Sequence, residues 1–447
     1  MFVSMGSRVG LRHASRVWRW GACVLLSGCA TYHPLPLPEQ VAPTPEVVGS
    51  TANSQLSMAD VERQVLLNNP DLRTARAQHA VAQAQMLQTS LLPNPSLNGS
   101  AGYLISGVGD ATAWTAGISE NIQSLITLRP RREAAHAQAA EVDATLLWEE
   151  WQVIGKARLL MVDIVEDERL LEVQQLALQR LEQRSERLRH SVAQGNSENL
   201  TAAPDLAAAA DAQASLDDLQ RQLLSQRHAL AALMGLAPDA TIALQPRIDL
   251  GPVDVAQVRQ QAETLAQRRP DLIALQLGYR AQEAQVRAAI LAQFPPLSFG
   301  YSASQDNSRV RNGGPAITFD LPIFDRNQGN IAIERATRQQ LHDEYSVRLQ
   351  TSRDEVLALL AEHRQLDAQR AALIPLQTDA LHRMVQADSA WHAGLIDIRS
   401  YVDIATTVST RQAAMITLEK SQYEGQVALA TLLGAGMPDA LPHEVTE

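Results

Sequence analysis

The sequence predicts a mainly α-helical protein with a small β part, built from one unit that occurs twice in the chain. Three observations carry this. Hydrophobic residues make up 45% of the 447 residues but aromatics only 4%, so the apolar content is Ala, Leu, Val and Ile, which favours long helices. Asn69-Pro70-Asp71-Leu72 returns as Arg269-Pro270-Asp271-Leu272, an offset of 200, and Leu233-Met234-Gly235 returns as Leu432-Leu433-Gly434, an offset of 199. Each copy also holds a short stretch of strand-like alternation followed by a very long helical pattern.

The N-terminus reads as an address. Residues 1–28 carry Arg8, Arg12, Arg16 and Arg19 and no acid, and an apolar stretch ends in Leu26-Ser27-Gly28-Cys29. This resembles a bacterial lipoprotein signal, with Cys29 the lipidated residue and Ala30 after it suggesting outer-membrane sorting. An ordinary secretory signal is the alternative. Cys23 falls in the segment to be removed; that removal takes the formal charge from −11 to −15. Residues 29–55 hold Pro34, Pro36, Pro38, Pro43 and Pro45 and read as an extended tether. The first repeat is then 56–250, the second 251–436, and 437–447 a tail.

Within each repeat the order is the same. A helix of about 35 residues (56–90; 254–292) ends at a proline-marked break (Pro93, Pro95; Pro295, Pro296). An alternating region follows (96–120; 297–322), then the long helix (about 130–193; about 328–392), roughly 95–100 Å at 1.5 Å per residue. A glycine-marked turn leads to a last helix of about 35 residues (201–234; 399–433). Stacked end to end, the two shorter helices match the long one and could run antiparallel to it. Pro375 should kink the second long helix.

The alternating regions carry the most information. Leu97, Gly99, Ala101, Tyr103 and Ile105 share one face, as do Thr112, Trp114, Ala116 and Ile118; Leu297, Phe299, Tyr301 and Ala303; and Pro315, Ile317, Phe319 and Leu321. The opposite faces are small and polar. The expected length, about 9–11 residues, suits membrane-spanning strands, and Tyr103, Trp114, Phe299, Tyr301 and Phe319 are placed like an interfacial girdle. Two hairpins packed on a soluble core are the alternative. Four strands cannot close a barrel and open edges do not occur in lipid, so spanning strands require an oligomer. Three chains would supply twelve strands and twelve helical columns.

No chemistry is written in the chain. His-Glu-x-x-His, Gly-x-x-x-x-Gly-Lys and Gly-x-Ser-x-Gly are absent, the eleven histidines form no i,i+3 or i,i+4 pair, and Gly107-Val108-Gly109 reads as a turn. No metal site, cofactor or enzymatic activity is expected. The acidic balance without a basic run argues against nucleic acid. Glu166, Asp167, Glu168 and Arg169 read as solvated helix surface.

The duplicated Pro-Asp-Leu openings, Leu92-Pro93-Asn94-Pro95 and Leu321-Pro322-Ile323-Phe324-Asp325-Arg326-Asn327-Gln328-Gly329 resemble the TolC-type outer-membrane factor family over residues 56–436. The last stretch is similar to its heavy-metal branch. The first copy departs from the pattern with Leu128-Arg129-Pro130-Arg131-Arg132. The resemblance implies a homotrimer in the outer membrane, a 12-stranded β-barrel continued by a 12-helix α-barrel in the periplasm. It also implies a periplasmic adaptor (membrane fusion protein) and an inner-membrane resistance-nodulation-division pump. Gly195 and Gly394 would be helical-hairpin tips, with Gly394, Leu395 and Asp397 the better adaptor-docking match; they could also simply end helices. Asp388, Asp397 and Asp403 are candidate aperture acids, or else solvated faces. The expected function is passive conduction of pumped substrates, heavy-metal cations first. A multidrug channel, a type I secretion channel and a non-pore coiled-coil scaffold are the alternatives.

Overall fold

A computed structural model describes residues 32–37, 55–195 and 199–434. Cys29, most of the tether, residues 196–198 and the tail lie outside the described residues. The chain divides into Met1–Thr44 and Pro45–Glu447; in the first unit the described residues 32–37 are neither helix nor strand and are exposed. No described helix is long and apolar enough to cross a membrane.

The second unit follows the repeated order, with corrections at its breaks. The expected 56–90 helix is two, α1 (Met58–Asn68) and α2 (Pro70–Ser90). Its counterpart is three: α5 (Val255–Glu263), α6 (Leu265–Arg268) and α7 (Pro270–Leu291). The breaks before Pro70 and Pro270 come from the repeated X-Pro. Proline has no amide hydrogen to continue the preceding helix but fits the first position of the next. Asn69 supplies the cap, its Oδ1 accepting from the Asp71 and Leu72 amides at 3.0 Å.

The long helices are α3 (Ile122–Ala193, 72 residues) and α8 (Gln328–His392, 65 residues), ~108 and ~98 Å long. α3 begins eight residues earlier than expected because strand and helix join directly, with Asn121 capping Ser124. In the second copy Asp320–Asn327 intervene, and Asn327, at φ +63°, starts α8. Pro375 lies within α8. The return helices are α4 (Asn199–Leu233) and α9 (Ile398–Leu433).

The helices form one layer of four columns. α3 packs against α2 and α4 on one side and α7 and α9 on the other; α8 packs against α7 and α9. The shorter helices meet end to end as expected: Asn69 at the head of α2 donates to the Leu233 carbonyl at the foot of α4, at 3.0 Å. The largest apolar core gathers there, with Val65, Leu72, Met161, Val162, Leu230 and Met234 nearly inaccessible. Its counterpart in the second copy holds Leu265, Leu272, Val356, Leu429 and Leu433. Burying each such side chain contributes about 1.5–3 kcal/mol.

Candidate functional site

The four strands β1 (Ser96–Gly102), β2 (Ala113–Asn121), β3 (Leu297–Gln305) and β4 (Arg311–Phe319) form one antiparallel sheet in that order. Register aligns their faces. Leu97 stands opposite Ile118, Ile118 opposite Tyr301, and Tyr301 opposite Pro315. Phe299 pairs with Ile317 and Leu297 with Phe319. Directly opposed strand residues share a face, so the apolar positions of all four strands lie together. The other face is small and polar throughout, as in the row Asn98, Gly117, Ser302, Gly314. The apolar face has no cover in the single chain: Phe299, Ile317 and Phe319 are all more than half exposed. Tyr103 is corrected: β1 ends at Gly102, so Tyr103 and Ile105 lie in the following loop, where Gly107 takes φ +113°.

At the far end of the long helices both tips turn on glycine. Gly195 and Gly394 have φ +73° and +72°, the left-handed conformation that reverses a helix and that a Cβ disfavours. Leu395 donates to the Ala390 carbonyl at 2.8 Å, closing a Schellman turn, and its own side chain is exposed. Asp397 caps α9 by accepting from the Ser400 amide at 2.7 Å; the Ser400 side chain first, and then this amide, hold its carboxyl below the usual range. Asp388 accepts from the Tyr401 hydroxyl at 2.7 Å. Asp403, largely exposed, is held at 2.5 Å by Arg184. Arg184 also pairs with buried Asp205, so one guanidinium ties α3, α4 and α9 together near the tips.

Midway along the layer lies a network the sequence reading missed. Glu166 and Asp167 are buried, not solvated. Their helix is flanked on both sides, and they point into the seams. Asp167 accepts from Gln222 and Gln226 on α4 at 2.9 and 2.8 Å and from Lys420 on α9 at 3.0 Å. Lys420 also reaches Asp163 at 3.2 Å and Glu424 at 4.0 Å. Burial pulls the Lys420 ammonium down, but the hydrogen bond to Asp167 and the charges of Asp163 and Asp167 outweigh it and raise its pKa. Burial, then the hydrogen bond and charge of Asp163, push Glu424 up to about 7. Glu166 is raised by burial, with Arg169 opposing at 2.5 Å. The sequence signal was present in outline: acids at 163, 166 and 167 at helical spacing, in a helix too long to be exposed all round. Their partners, about 55–60 and 250 residues away, were not findable from spacing. Among the described residues no group of three or more His, Cys, Asp or Glu could hold a metal ion.

The family model for outer membrane efflux protein matches residues 262–435. The chain is 28% identical to outer membrane protein OprJ of Pseudomonas aeruginosa over 182 residues, 38% of each chain. It is 28% identical to cobalt-zinc-cadmium resistance protein CzcC of Cupriavidus metallidurans over 233 residues, 50% of this chain and 54% of that one. These two matches span about half or less of the relatives' length. With pyoverdine export outer membrane protein OpmQ of Pseudomonas aeruginosa identity is 26% over 478 residues, 93% of this chain and 95% of that one. The fold matches crystal structures of CusC (TM-score 0.65, 20% identity, 91% of this chain and 100% of that one) and of the Campylobacter jejuni CmeC outer membrane channel (0.70, 16%, 92% and 97%). Over residues 262–435 the chain thus resembles the outer membrane efflux proteins, and its fold is that of the solved outer-membrane channels it matches.

Proposed function

We propose that this chain forms a homotrimeric outer-membrane channel, passively conducting what an inner-membrane pump delivers through a periplasmic adaptor. One observation carries the reading: both layers are open at both edges, and the open strand and helix at each edge are consecutive in the chain. The sheet ends at β1 and β4, and the helical layer ends at α2 with α4 and at α8. β1 follows α2 and β4 precedes α8, so a head-to-tail contact that pairs β4 with β1 also packs α8 against α2 and α4. Such a heterologous contact must close into a ring. Three copies give a barrel of twelve strands and twelve columns, an even strand number within the natural range. Leu97, Ile118, Phe299, Tyr301, Ile317 and Phe319 would face lipid, and the small polar face the lumen.

Cys29 would carry the lipid, and the tips at Gly195 and Gly394 with Leu395 would meet the adaptor, itself bound to a resistance-nodulation-division pump. Rings of Asp388, Asp397 and Asp403 would favour cations at the narrow end. A heavy-metal cation is the favoured cargo, supported by the likeness to CzcC and by the acidic chain. The full-length likeness to OpmQ supports a second reading, export of a small organic molecule.

Light scattering of the purified protein, together with planar-bilayer recording, tests the channel. Three chains per particle with stepwise conductance are expected; a monomer without conductance overturns the reading. Asp403→Ala should weaken cation selectivity, and unchanged selectivity removes that residue from the aperture. Expression with the co-transcribed pump in a host lacking its own channel, scored for metal against organic tolerance, separates the cargoes.

A further inference from the structure

The first-copy stretch Leu128-Arg129-Pro130-Arg131-Arg132, at odds with the second copy, is left without a role by the channel alone. It lies just below the sheet. The alternation that puts Trp114, Ala116 and Ile118 on the apolar face of β2 reaches Ile122, where α3 begins. Ile126, Arg129 and Glu133 follow at helical spacing on the same side. That side of α3 and the adjoining side of α7 enclose an open groove of about 630 Å³, floored by Leu125 and Leu128 and rimmed by Arg129, Arg132, Arg280 and Arg287. Three of these arginines, Arg129, Arg132 and Arg287, sit ~6–15 Å from the helix ends that join the strands.

The groove's charge is unbalanced. Its one carboxylate, Glu133, is shared by Arg129 at 3.2 Å and Arg287 at 3.3 Å. Arg132 donates through Nε to the Ser90 carbonyl at 2.7 Å, which holds the side chain in place without neutralising it. Arg280 makes no ion pair or hydrogen bond among the described residues. Four guanidinium groups thus line a groove with a single acid, which two of them contact, in a chain of formal charge −11.

We infer that this groove binds the phosphate headgroup of an anionic phospholipid in the leaflet facing the periplasm. The inference rests on the membrane reading of the sheet. Guanidinium groups match phosphate oxygens in pairs, and basic pockets at the membrane edge hold anionic headgroups. Leu125 and Leu128 suit the glycerol and first acyl carbons, and the apolar face above them continues the path for the chains. A free phosphate would use the arginines but not the leucines.

Native mass spectrometry of the full-length protein in non-ionic detergent, titrated with phosphatidylglycerol or phosphatidylcholine in mixed micelles, tests this. Phosphatidylglycerol should bind preferentially. Arg129→Gln and Arg287→Gln should each weaken it about fivefold, from the attraction of one basic side chain to an anionic surface. Arg287→Lys, which keeps the charge, should retain most of the binding and guards against misfolding. Equal binding of both lipids, or arginine variants that bind phosphatidylglycerol like the parent, overturns the inference. So does inorganic phosphate at millimolar concentration competing fully, because it makes the groove a free-anion site. Conductance on the same samples keeps the two proposals apart: a conducting protein without lipid preference loses only this one.

Discussion

α3 and α8 occupy equivalent places in the two copies, yet one is a central column and the other an edge. In α3, 21 of 72 residues are buried; in α8, 8 of 65 are. α3 keeps its charges inside, in the network of Asp163, Glu166, Asp167 and Lys420. α8 keeps apolar residues outside, with Ile374, Leu381 and Val385 all at least 45% exposed and spaced by seven and four. Duplication set the lengths; position in the layer then decided what each helix could expose. A central helix has two partners within its own chain, and an edge helix has one partner and awaits another.

The sharpest way to break this comparison is to charge the edge. Leu381→Asp with Val385→Asp should abolish trimers in light scattering and conductance while circular dichroism of the monomer stays unchanged. Each buried side chain contributes about 1.5–3 kcal/mol to association, and neither is buried in the single chain. Retained trimers would show that α8 is not an interface. By contrast, Met161→Ala on α3 should lower the stability of the chain itself by about 2–5 kcal/mol, read from the urea midpoint.

The central network comes next. Lys420→Met leaves buried Asp167 and half-buried Asp163 and Glu424 without their cation and should cost about 3–5 kcal/mol. Arg221, at the equivalent place in α4, is exposed and paired only with Asp218; Arg221→Met should stay within about 0.5 kcal/mol. Equal losses would mean the two copies use their cations alike.

Acid pH sharpens the same contrast. Glu424 is raised from 4.5 to about 7 in the folded chain, so the folded state holds its proton more tightly than the unfolded one. The stability this contributes is complete below pH 4.5 and is lost as pH rises through 7. Glu424→Gln should flatten the dependence of the melting temperature between pH 5 and 7.5; an unchanged slope rules out that proton.

The turns are ranked by what a Cβ would meet. Gly195→Ala and Gly394→Ala meet open space and carry only the left-handed penalty, roughly 1–2 kcal/mol. At Gly235 a Cβ would also come within 2.5 Å of the Asn68 carbonyl oxygen, so Gly235→Ala should cost clearly more. Thermal melts of the three variants rank them.

Legibility varied with the range of the interaction. The strands at 96–120 and 297–322 were readable because alternation is local, and the tips because glycine marks a left-handed residue. The breaks at Pro70 and Pro270 were misread as continuous helix, although proline at a first helical position signals them. Tyr103 was assigned to a strand on alternation alone, with no register to show where pairing stops. The role of Arg184 and the burial of Glu166 and Asp167 were not readable, because their partners come from other helices.

By itself the sequence determined the repeat, the two long helices, the two-faced strands and the glycine tips, since the repeat is a direct match of the chain with itself and the others follow from local spacing. Only the tertiary structure decided which column is central, that four apolar strand faces coincide, and that a row of acids is interior. Those outcomes depend on which helices meet across 50 to 250 residues, and local periodicity carries no record of that.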